Sequence, residues 1–249
     1  MVSLKSPREI ELMRESGAIL AEVLEMIRNE VKPGVRTGTI NAKAEELIRR
    51  RGGYPSFLKY KGYPASVCVS VNEEVVHGIP GERELREGDV VSIDVGVRNK
   101  NYHADAAITL PVGEVSEEAK RLMSTCREAL EEAIRHVKPG AKLREVSAAV
   151  QRTVEGAGFS VVRKFVGHGI GQKLHEDPQI PNFVDGTFNG ELILKPGMVL
   201  AIEPMINAGG EDVEVAENGW TVVTRDGSVS AHFEHTVAVG ESGADILTA

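Results

Sequence analysis

The sequence predicts one α+β domain built from two similar halves, residues 1–113 and 114–249. Two observations predict it: a strand segment occurs twice, and so does the pair of helices before it. Residues 85–94, LREGDVVSID, and residues 194–203, LKPGMVLAIE, align without a gap. No long flexible or low-complexity linker separates the copies, so we expect one pseudo-symmetric domain rather than two independent ones.

Each half begins with two helices separated by the same tetrapeptide, Val-Lys-Pro-Gly. Ser6 and Glu9 form a capping box, with Pro7 at the first helical position. An apolar stripe then continues to about residue 29, and a second helix is expected over residues 39–51. In the second half we expect helices over residues 116–136 and 143–155.

The strands of the first half follow its helices. Residues 66–71 alternate in a way that predicts a strand. Residues 90–97 and 102–110 predict a hairpin, and its polar connection suggests a turn centred on Asn99 and Lys100.

Each strand of this hairpin contains one acidic residue, Asp94 and Asp105. With the turn centred as above, the two are directly opposed, with Cβ atoms about 5 Å apart. Neighbouring carboxylates repel each other unless a cation lies between them. The second half repeats the arrangement: Glu203 ends one strand, and Glu234 lies in a strand expected over residues 231–239. The sequence therefore predicts that acids of both halves meet around metal ions.

Histidines flanked by glycine accompany the acids in both halves, His77 and His168. Four carboxylates and one imidazole suit two divalent transition metals, Mn, Fe, Co or Zn, better than Ca or Mg. We expect His168 to be the nitrogen ligand, whereas His77 need not bind metal. His175 lies in a segment rich in Gly and Pro, of the kind that lines sites. Any one of these residues alone would be read as a structural or solvated side chain; their recurrence in both halves favours a site.

Two further histidines precede acids in the same H-x-acid pattern, His103 before Asp105 and His232 before Glu234. The pattern places each histidine on the strand face of its acid. It leaves open whether they support the metal ligands.

The composition disfavours several classes of protein. A formal net charge of −8 disfavours a DNA-binding protein, which usually has a basic surface. The chain has no apolar run of about 18 residues and no secretory signal pattern, so we expect neither a membrane protein nor an exported one. Two cysteines are too few for a disulfide scaffold. We therefore expect a cytoplasmic protein, and a monomer by default.

The motifs carried by these residues resemble those of bacterial type I methionine aminopeptidases. The matching segments cover about residues 6–248: SVNEEVVHGIP, SIDVG, HAD, VGHGIGQKLHEDPQIPN, MVLAIEP, NGWTVVTRDGSVSAHFEHT and the final ILT. The resemblance implies the pita-bread fold, in which two pseudo-symmetric α/β halves form a curved antiparallel sheet with helices on its outer face.

The resemblance also implies a role for each site residue. It implies that the metal ligands are Asp94, Asp105, His168, Glu203 and Glu234, with Asp105 and Glu234 bridging two ions. By the same resemblance His77 and His175 contact the substrate or help stabilise the transition state. From the chemistry of a metal-activated water, we expect Glu203 to take the proton of the water and pass it to the leaving amine. The pocket for the methionine side chain is implied to be lined by Tyr60, Tyr63, Cys68 and Trp220. Leu174 departs from the aromatic residue found there in some relatives.

The activity implied is metal-dependent removal of the N-terminal methionine from nascent proteins and peptides, with a preference for a small second residue. Contact with the ribosome is expected of such an enzyme. Two alternatives stay open. One is an X-Pro aminopeptidase or prolidase of the same fold, and the other is a non-catalytic peptide-binding module that keeps the fold.

Overall fold

The computed structural model describes residues 2–186, 188 and 190–249. The helices in this part of the chain are α1 (Pro7–Glu30), α2 (Thr37–Arg50), α3 (Glu117–Arg135) and α4 (Leu143–Gly156), with a 3₁₀ turn at Tyr60–Gly62. None of them combines the length and apolar character needed to cross a membrane.

The first half contains five of the strands, namely β1 (Tyr54–Pro55), β2 (Cys68–Val71), β3 (Glu74–Val76), β4 (Val90–Asn99) and β5 (Tyr102–Pro111). The strands described in the second half are β6 (Ser160–Val161), β7 (Gly167–Gly169), β8 (Glu176–Ile180), β9 (Val199–Ile202), β10 (Met205–Asn207), β11 (Val213–Val215), β12 (Val222–Thr224), β13 (Ser230–His232), β14 (His235–Val239) and β15 (Ala244–Ile246).

The helices begin and end within two residues of the positions predicted from the sequence. The capping box of α1 is present: the Ser6 hydroxyl accepts from the Glu9 amide at 3.4 Å, and the Glu9 carboxylate accepts from the Ser6 amide at 2.8 Å. Ser116 caps α3 by accepting from the amide of Ala119 at 3.1 Å. These bonds satisfy amide groups that a helix start leaves without an internal partner.

The sequence repeat is also a repeat of backbone hydrogen bonds. The amide of Gly34 donates to the carbonyl of Leu85 at 2.7 Å, and the amide of Gly140 donates to the carbonyl of Leu194 at 2.9 Å. Strands β4 and β9 begin at corresponding positions of the repeat. The two helix pairs are therefore joined in the same way to the strands that carry the acids.

The turn between β4 and β5 differs from the prediction by one residue. Asn99 pairs with Tyr102, so Lys100 and Asn101 are the central residues. Both have left-handed backbone angles, with φ of 48° and 67°. This is the geometry of the two-residue turns whose twist matches the twist of antiparallel strands.

The predicted direct opposition of Asp94 and Asp105 is consequently wrong. Asp94 lies opposite Ala107, and Asp105 lies opposite Gly96. Moving the turn centre by one residue shifts the pairing by two residues, and side chains alternate with a period of two. Both acids therefore stay on one face of the hairpin, as diagonal rather than directly opposed neighbours.

The strand expected over residues 231–239 is interrupted, since β13 ends at His232 and β14 begins at His235. At the interruption, Glu234 exchanges two backbone hydrogen bonds with Ala107 of β5, at 3.0 and 3.3 Å. The break thus joins a strand of the first half to a segment of the second, and it brings Glu234 to the hairpin that carries Asp94 and Asp105.

The strands form antiparallel sheets on which the helices pack. In one sheet β4 lies between β1, β2 and β5; in another the order is β15-β14-β9-β7-β8. A single apolar cluster contains buried residues of both halves, including Leu20, Ile93, Leu122 and Leu200. The division into halves within one domain stays a prediction.

Candidate active site

The five predicted metal ligands line one cavity of about 140 Å³. Asp94 and Asp105 project from β4 and β5, and His168 from the middle of β7. Glu203 directly follows β9, and Glu234 lies in the break between β13 and β14. Three of these side chains, from both halves, come close enough to share a metal ion. One ligand atom each of Asp105, His168 and Glu234 lies within 4.8 Å of the others.

His168 is oriented by its own backbone. Its Nδ1 lies 2.9 Å from the carbonyl oxygen of Gly169, so Nδ1 carries a proton and donates it there. The lone pair of Nε2 is left for the cavity, where this atom lies 3.6 Å from Oε1 of Glu203 and 4.0 Å from Oδ2 of Asp105. Burial lowers the pKa of His168 to about 4, so the ring is neutral near pH 7. A neutral, oriented imidazole is the form that binds a metal ion.

Several carboxylate oxygens in the cavity lack hydrogen-bond partners. Three buried oxygens, Oδ1 of Asp94, Oδ1 of Asp105 and Oε1 of Glu234, have no hydrogen-bond partner among the described residues. Burial raises the pKa of Asp94 to about 7. Burial, followed by the charges of neighbouring acids, raises the pKa of Asp105, Glu203 and Glu234 well above their ordinary values.

Such a cluster is costly to leave charged and unpaired. A divalent cation would satisfy the unpaired oxygens and stabilise the ionised carboxylates. Oxygen donors together with one imidazole nitrogen fit a transition metal. These residues therefore form a buried group that can bind a metal ion.

Asp105 is fixed in place by a residue that the sequence patterns did not single out. The hydroxyl of Thr236 accepts from the amide of Asp105 at 2.9 Å and donates to its carbonyl at 2.8 Å. Asn182, equally unpredicted, donates to the carbonyl of Glu203 at 3.0 Å. Neither motif spacing nor alternation identifies such residues, because their partners are far away in the sequence.

Of the two histidines left open by the sequence, one lies beside the acids. Nε2 of His232 is buried, has no hydrogen-bond partner among the described residues, and lies 3.8 Å from Glu203 and 4.0 Å from Glu234. The ring of His103 instead bonds the hydroxyl of Ser56 at 2.8 Å.

His175 lines the same cavity next to His168, with ring centroids 4.1 Å apart. Its Nδ1 is hydrogen-bonded to the hydroxyl of Tyr60 at 2.9 Å, and the Tyr60 ring stacks on it at 5.2 Å. Desolvation of the ring, followed by the charge of His168, lowers the pKa of His175 to about 3. The ring is therefore a neutral hydrogen-bonding group near pH 7.

His77 lies at a sharp backbone turn with a left-handed φ of 59°. The next residue must be small: a Cβ on Gly78 would lie 2.1 Å from the carbonyl oxygen of Val69. The His-Gly pair therefore lets β2 run close to the turn while the imidazole points into the cavity, edge-on to Phe165. Burial, followed by the charge of Lys61, lowers the pKa of His77.

The rest of the cavity wall is mainly apolar and aromatic. Tyr63 packs edge-on against Trp220 at 5.2 Å and donates its hydroxyl proton to the carbonyl of Gly78 at 2.8 Å. Cys68 is buried, and burial raises the pKa of its thiol, which stays protonated. Every site residue predicted from the sequence lines this one cavity. The wall also contains three residues without a predicted role, Phe57, Lys61 and Leu174.

Comparison with known proteins identifies the family. The family model for metallopeptidase family M24 matches residues 11–241. The chain belongs to this family. It is 51% identical over 248 residues to methionine aminopeptidase 1 of Bacillus subtilis, a match that covers 100% of this chain and 99% of the relative.

Solved structures of M24 peptidases have the same fold. The crystal structure of methionine aminopeptidase from Thermotoga maritima has a TM-score of 0.96 and 47% identity, and the match covers 100% of this chain and 99% of that one. The prolidase from Pyrococcus furiosus is more distant, with a TM-score of 0.81 and 25% identity over 99% of this chain and 65% of the prolidase. The predicted family and pita-bread architecture are confirmed.

Proposed function

We propose that the protein is a methionine aminopeptidase that removes the N-terminal methionine from nascent proteins and peptides and prefers a small second residue. The observation that carries this proposal is the cavity itself. Acids of both halves, with unpaired buried oxygens, lie at one end of it, and an apolar, aromatic wall lies beside them. Full-length similarity to methionine aminopeptidases supports the same substrate.

The proposed cofactor is a pair of divalent metal ions, Co, Mn, Fe or Zn. Their ligands would be Asp94, Asp105, His168, Glu203 and Glu234. When bound, the ions would supply Lewis acidity and a water molecule of lowered pKa. Carboxylates can bridge two cations, and the acids come from both halves, which supports the pair.

His175 is proposed to donate a hydrogen bond to the carbonyl of the scissile bond. In the tautomer in which the Tyr60 hydroxyl donates to Nδ1, the proton of His175 resides on Nε2, the atom free to face the substrate. Its lowered pKa keeps the ring neutral, so it acts as an oriented donor toward the negative charge that develops on the carbonyl oxygen.

Glu203 and His77 are proposed to act on the other partners of the reaction. The Glu203 carboxylate would take a proton from the attacking water and pass it to the departing amine nitrogen. His77, in the same cavity, would contact the nitrogen of the scissile amide. Glu203 lies directly after β9, and His77 lies in the turn of left-handed φ before Gly78.

The methionine side chain is proposed to lie against Tyr60, Tyr63, Cys68 and Trp220. A flexible thioether packs well against aromatic rings and a protonated thiol. Shape rather than hydrogen bonding would select the first residue, so slow cleavage after other unbranched apolar residues is expected. The acids and this wall both line the cavity of about 140 Å³, so it has room for the first residue but not for the rest of the peptide.

The proposal is tested by assaying the purified protein with Mn²⁺ on Met-Ala-Ser and on its N-acetylated form. Cleavage after methionine in the free peptide, and none in the acetylated one, is expected. Preference for an Ala-Pro peptide would instead support the prolidase alternative. Absence of turnover on every peptide after addition of Mn²⁺ or Co²⁺ would support the binding module.

We also propose that the enzyme works as a cytoplasmic monomer on chains emerging from the ribosome. Light scattering after gel filtration tests the monomer, and fractionation of cells tests the location. Cosedimentation with purified ribosomes tests their contact: a protein that stays in the supernatant at low salt would contradict it.

A further inference from the structure

A wide outer groove of about 780 Å³ adjoins the cavity. His168, His175 and Lys61 line both spaces. A peptide whose first residue lies in the cavity therefore places the residues that follow in the groove. In the proposed binding mode His175 contacts the carbonyl of the first residue. The third residue, about 7 Å further along an extended peptide, therefore lies in the outer groove, which Lys61 also lines.

The acids that line the groove already have partners. Glu9 accepts hydrogen bonds from the Ser6 amide and the Tyr102 hydroxyl, each at 2.8 Å. Glu176 is bound by the ammonium group of Lys5 at 2.7 Å. Asp177 also has an interaction partner. Each of these acids therefore has a partner within the protein, and the charge of Glu176 is paired with that of Lys5.

Lys61 is different, because it is exposed and forms no ion pair with any described residue. Lys173 shares this property but lines only the outer groove, whereas Lys61 lies where the groove meets the cavity. The ammonium group of Lys61 lies 5.4 Å from the centre of the Tyr60 ring, and Tyr60 in turn bonds His175. The side chain of Tyr60 therefore lies between the unpaired ammonium group of Lys61 and His175, the proposed donor to the substrate carbonyl.

The backbone of Lys61 is held in an unusual conformation. Its φ of 49° and ψ of 21° lie in the left-handed region, which a residue with a long side chain rarely adopts. Strained backbone of this kind persists where the surrounding structure imposes it, often at binding sites. The turn therefore fixes the backbone position from which the Lys61 side chain extends.

We propose that Lys61 determines substrate specificity by binding a carboxylate at the third residue of the peptide. The carboxylate is either an Asp or Glu side chain or the free C-terminus of a tripeptide. This proposal rests on the proposed aminopeptidase function and adds a preference among peptides that share the same first two residues.

The test compares two pairs of peptides that differ in one carboxylate. The first pair is Met-Ala-Asp-amide and Met-Ala-Asn-amide, and the second is Met-Ala-Gly with a free or an amidated C-terminus. The ratio of kcat/KM within each pair is measured with Mn²⁺ for the wild type, Lys61→Gln and Lys61→Arg. Lys59→Gln is the matched control, because Lys59 is exposed, has a left-handed φ of 67° in the same turn, and lines neither space.

In the wild type, the carboxylate-bearing peptide of at least one pair is expected to be favoured by about two- to fivefold, the range of a solvent-exposed ion pair. The ratio should fall to about one in Lys61→Gln and persist in Lys61→Arg and Lys59→Gln. It should also fall toward one for the wild type in about 0.5 M salt, which screens such pairs and requires no variant.

The pair that shows the effect identifies which carboxylate is bound. A wild-type ratio of one in both pairs, or an unchanged ratio in Lys61→Gln, overturns the proposal. If Met-Ala-Asn-amide is not cleaved at all by the wild type, the proposed function itself fails. The two failures are therefore distinguishable.

Discussion

Replacement of Asp94 by asparagine is predicted to stabilise the metal-free protein at neutral and higher pH. The pKa of Asp94 is raised from its ordinary value of 3.8 to about 7, chiefly by burial. A carboxyl group with a raised pKa favours the folded state in its protonated form. Its full contribution is present below about pH 3.8 and is lost as the pH rises through about 7. Metal-free wild type should therefore become less stable between about pH 5 and pH 8.

The size of this change in the free energy of unfolding follows from the difference between the ordinary and the raised pKa of Asp94. At about 1.36 kcal/mol for each pH unit, the change from 3.8 to about 7 corresponds to roughly 4 kcal/mol. Neighbouring acids titrate together with Asp94, so this value is an upper bound for the single substitution. Asparagine keeps the shape of the side chain and removes its charge.

The assay is urea unfolding in EDTA at about pH 5 and pH 8. Asp94→Asn should exceed the wild type by up to about 4 kcal/mol at pH 8 and by only about 1–2 kcal/mol at pH 5, which lies little more than one unit above 3.8. Mn²⁺ at 100 times its Kd should stabilise the wild type by about 2.7 kcal/mol. It should stabilise Asp94→Asn much less, because a proposed ligand is gone. Glu217→Gln is the control, since Glu217 is exposed and lies outside the cavity.

The reasoning is refuted if metal-free Asp94→Asn is less stable than the wild type at pH 8. An equal gain from Mn²⁺ in both proteins would refute the role of Asp94 as a ligand. A comparable effect in Glu217→Gln would show that the change reflects overall charge rather than the buried cluster.

Three further predictions concern the residues that shape the site. Gly78→Ala should lower the free energy of unfolding by about 1–3 kcal/mol or more, because the new Cβ would lie 2.1 Å from a backbone oxygen. Gly81→Ala, with nothing within 4 Å, should change it by less than about 0.5 kcal/mol; equal losses in urea unfolding would contradict the argument. Thr236→Val removes the hydroxyl that bonds both backbone groups of Asp105 and should cost about 1–3 kcal/mol. A neutral result in the same assay would show that Asp105 needs no such support. His175→Ala should lower kcat about 10²- to 10³-fold with little change in KM, and steady-state kinetics that show only a raised KM would assign it to binding.

Internal repetition predicted the candidate site because it compares the chain with itself. The acids stand at the matching ends of apolar strands in the two halves. An acid at such a position is costly to bury unless something pairs with it, so its presence in both halves indicates a site. The Val-Lys-Pro-Gly tetrapeptide and the strand that follows it also occur in both halves. This repetition likewise predicted a pair of helices in each half. The helix ends were predicted closely because capping depends on neighbouring residues, as at Ser6 and Glu9.

What the sequence could not predict depends on contacts between distant residues. The predicted turn centre at Asn99 and Lys100 is one residue off, because the twist of β4 and β5 selects Lys100 and Asn101. Glu234 leaves the expected strand because its backbone pairs with Ala107 of the other half. Thr236 contacts Asp105 only after the halves have come together. Lys61 belongs to no pattern in the sequence, although it stands between Tyr60 and Tyr63, whose role in the pocket the resemblance implies.

The most direct measurement is the anomalous diffraction of crystals grown with Mn²⁺. Two peaks about 3.5–4 Å apart are predicted in the cavity, the spacing of paired catalytic metals. The ligands of the pair should come from both halves, with Asp94 and Asp105 on one side and His168, Glu203 and Glu234 on the other. Peaks outside the cavity, or ions bound by residues of one half alone, would contradict the claim that the two halves share a metal centre.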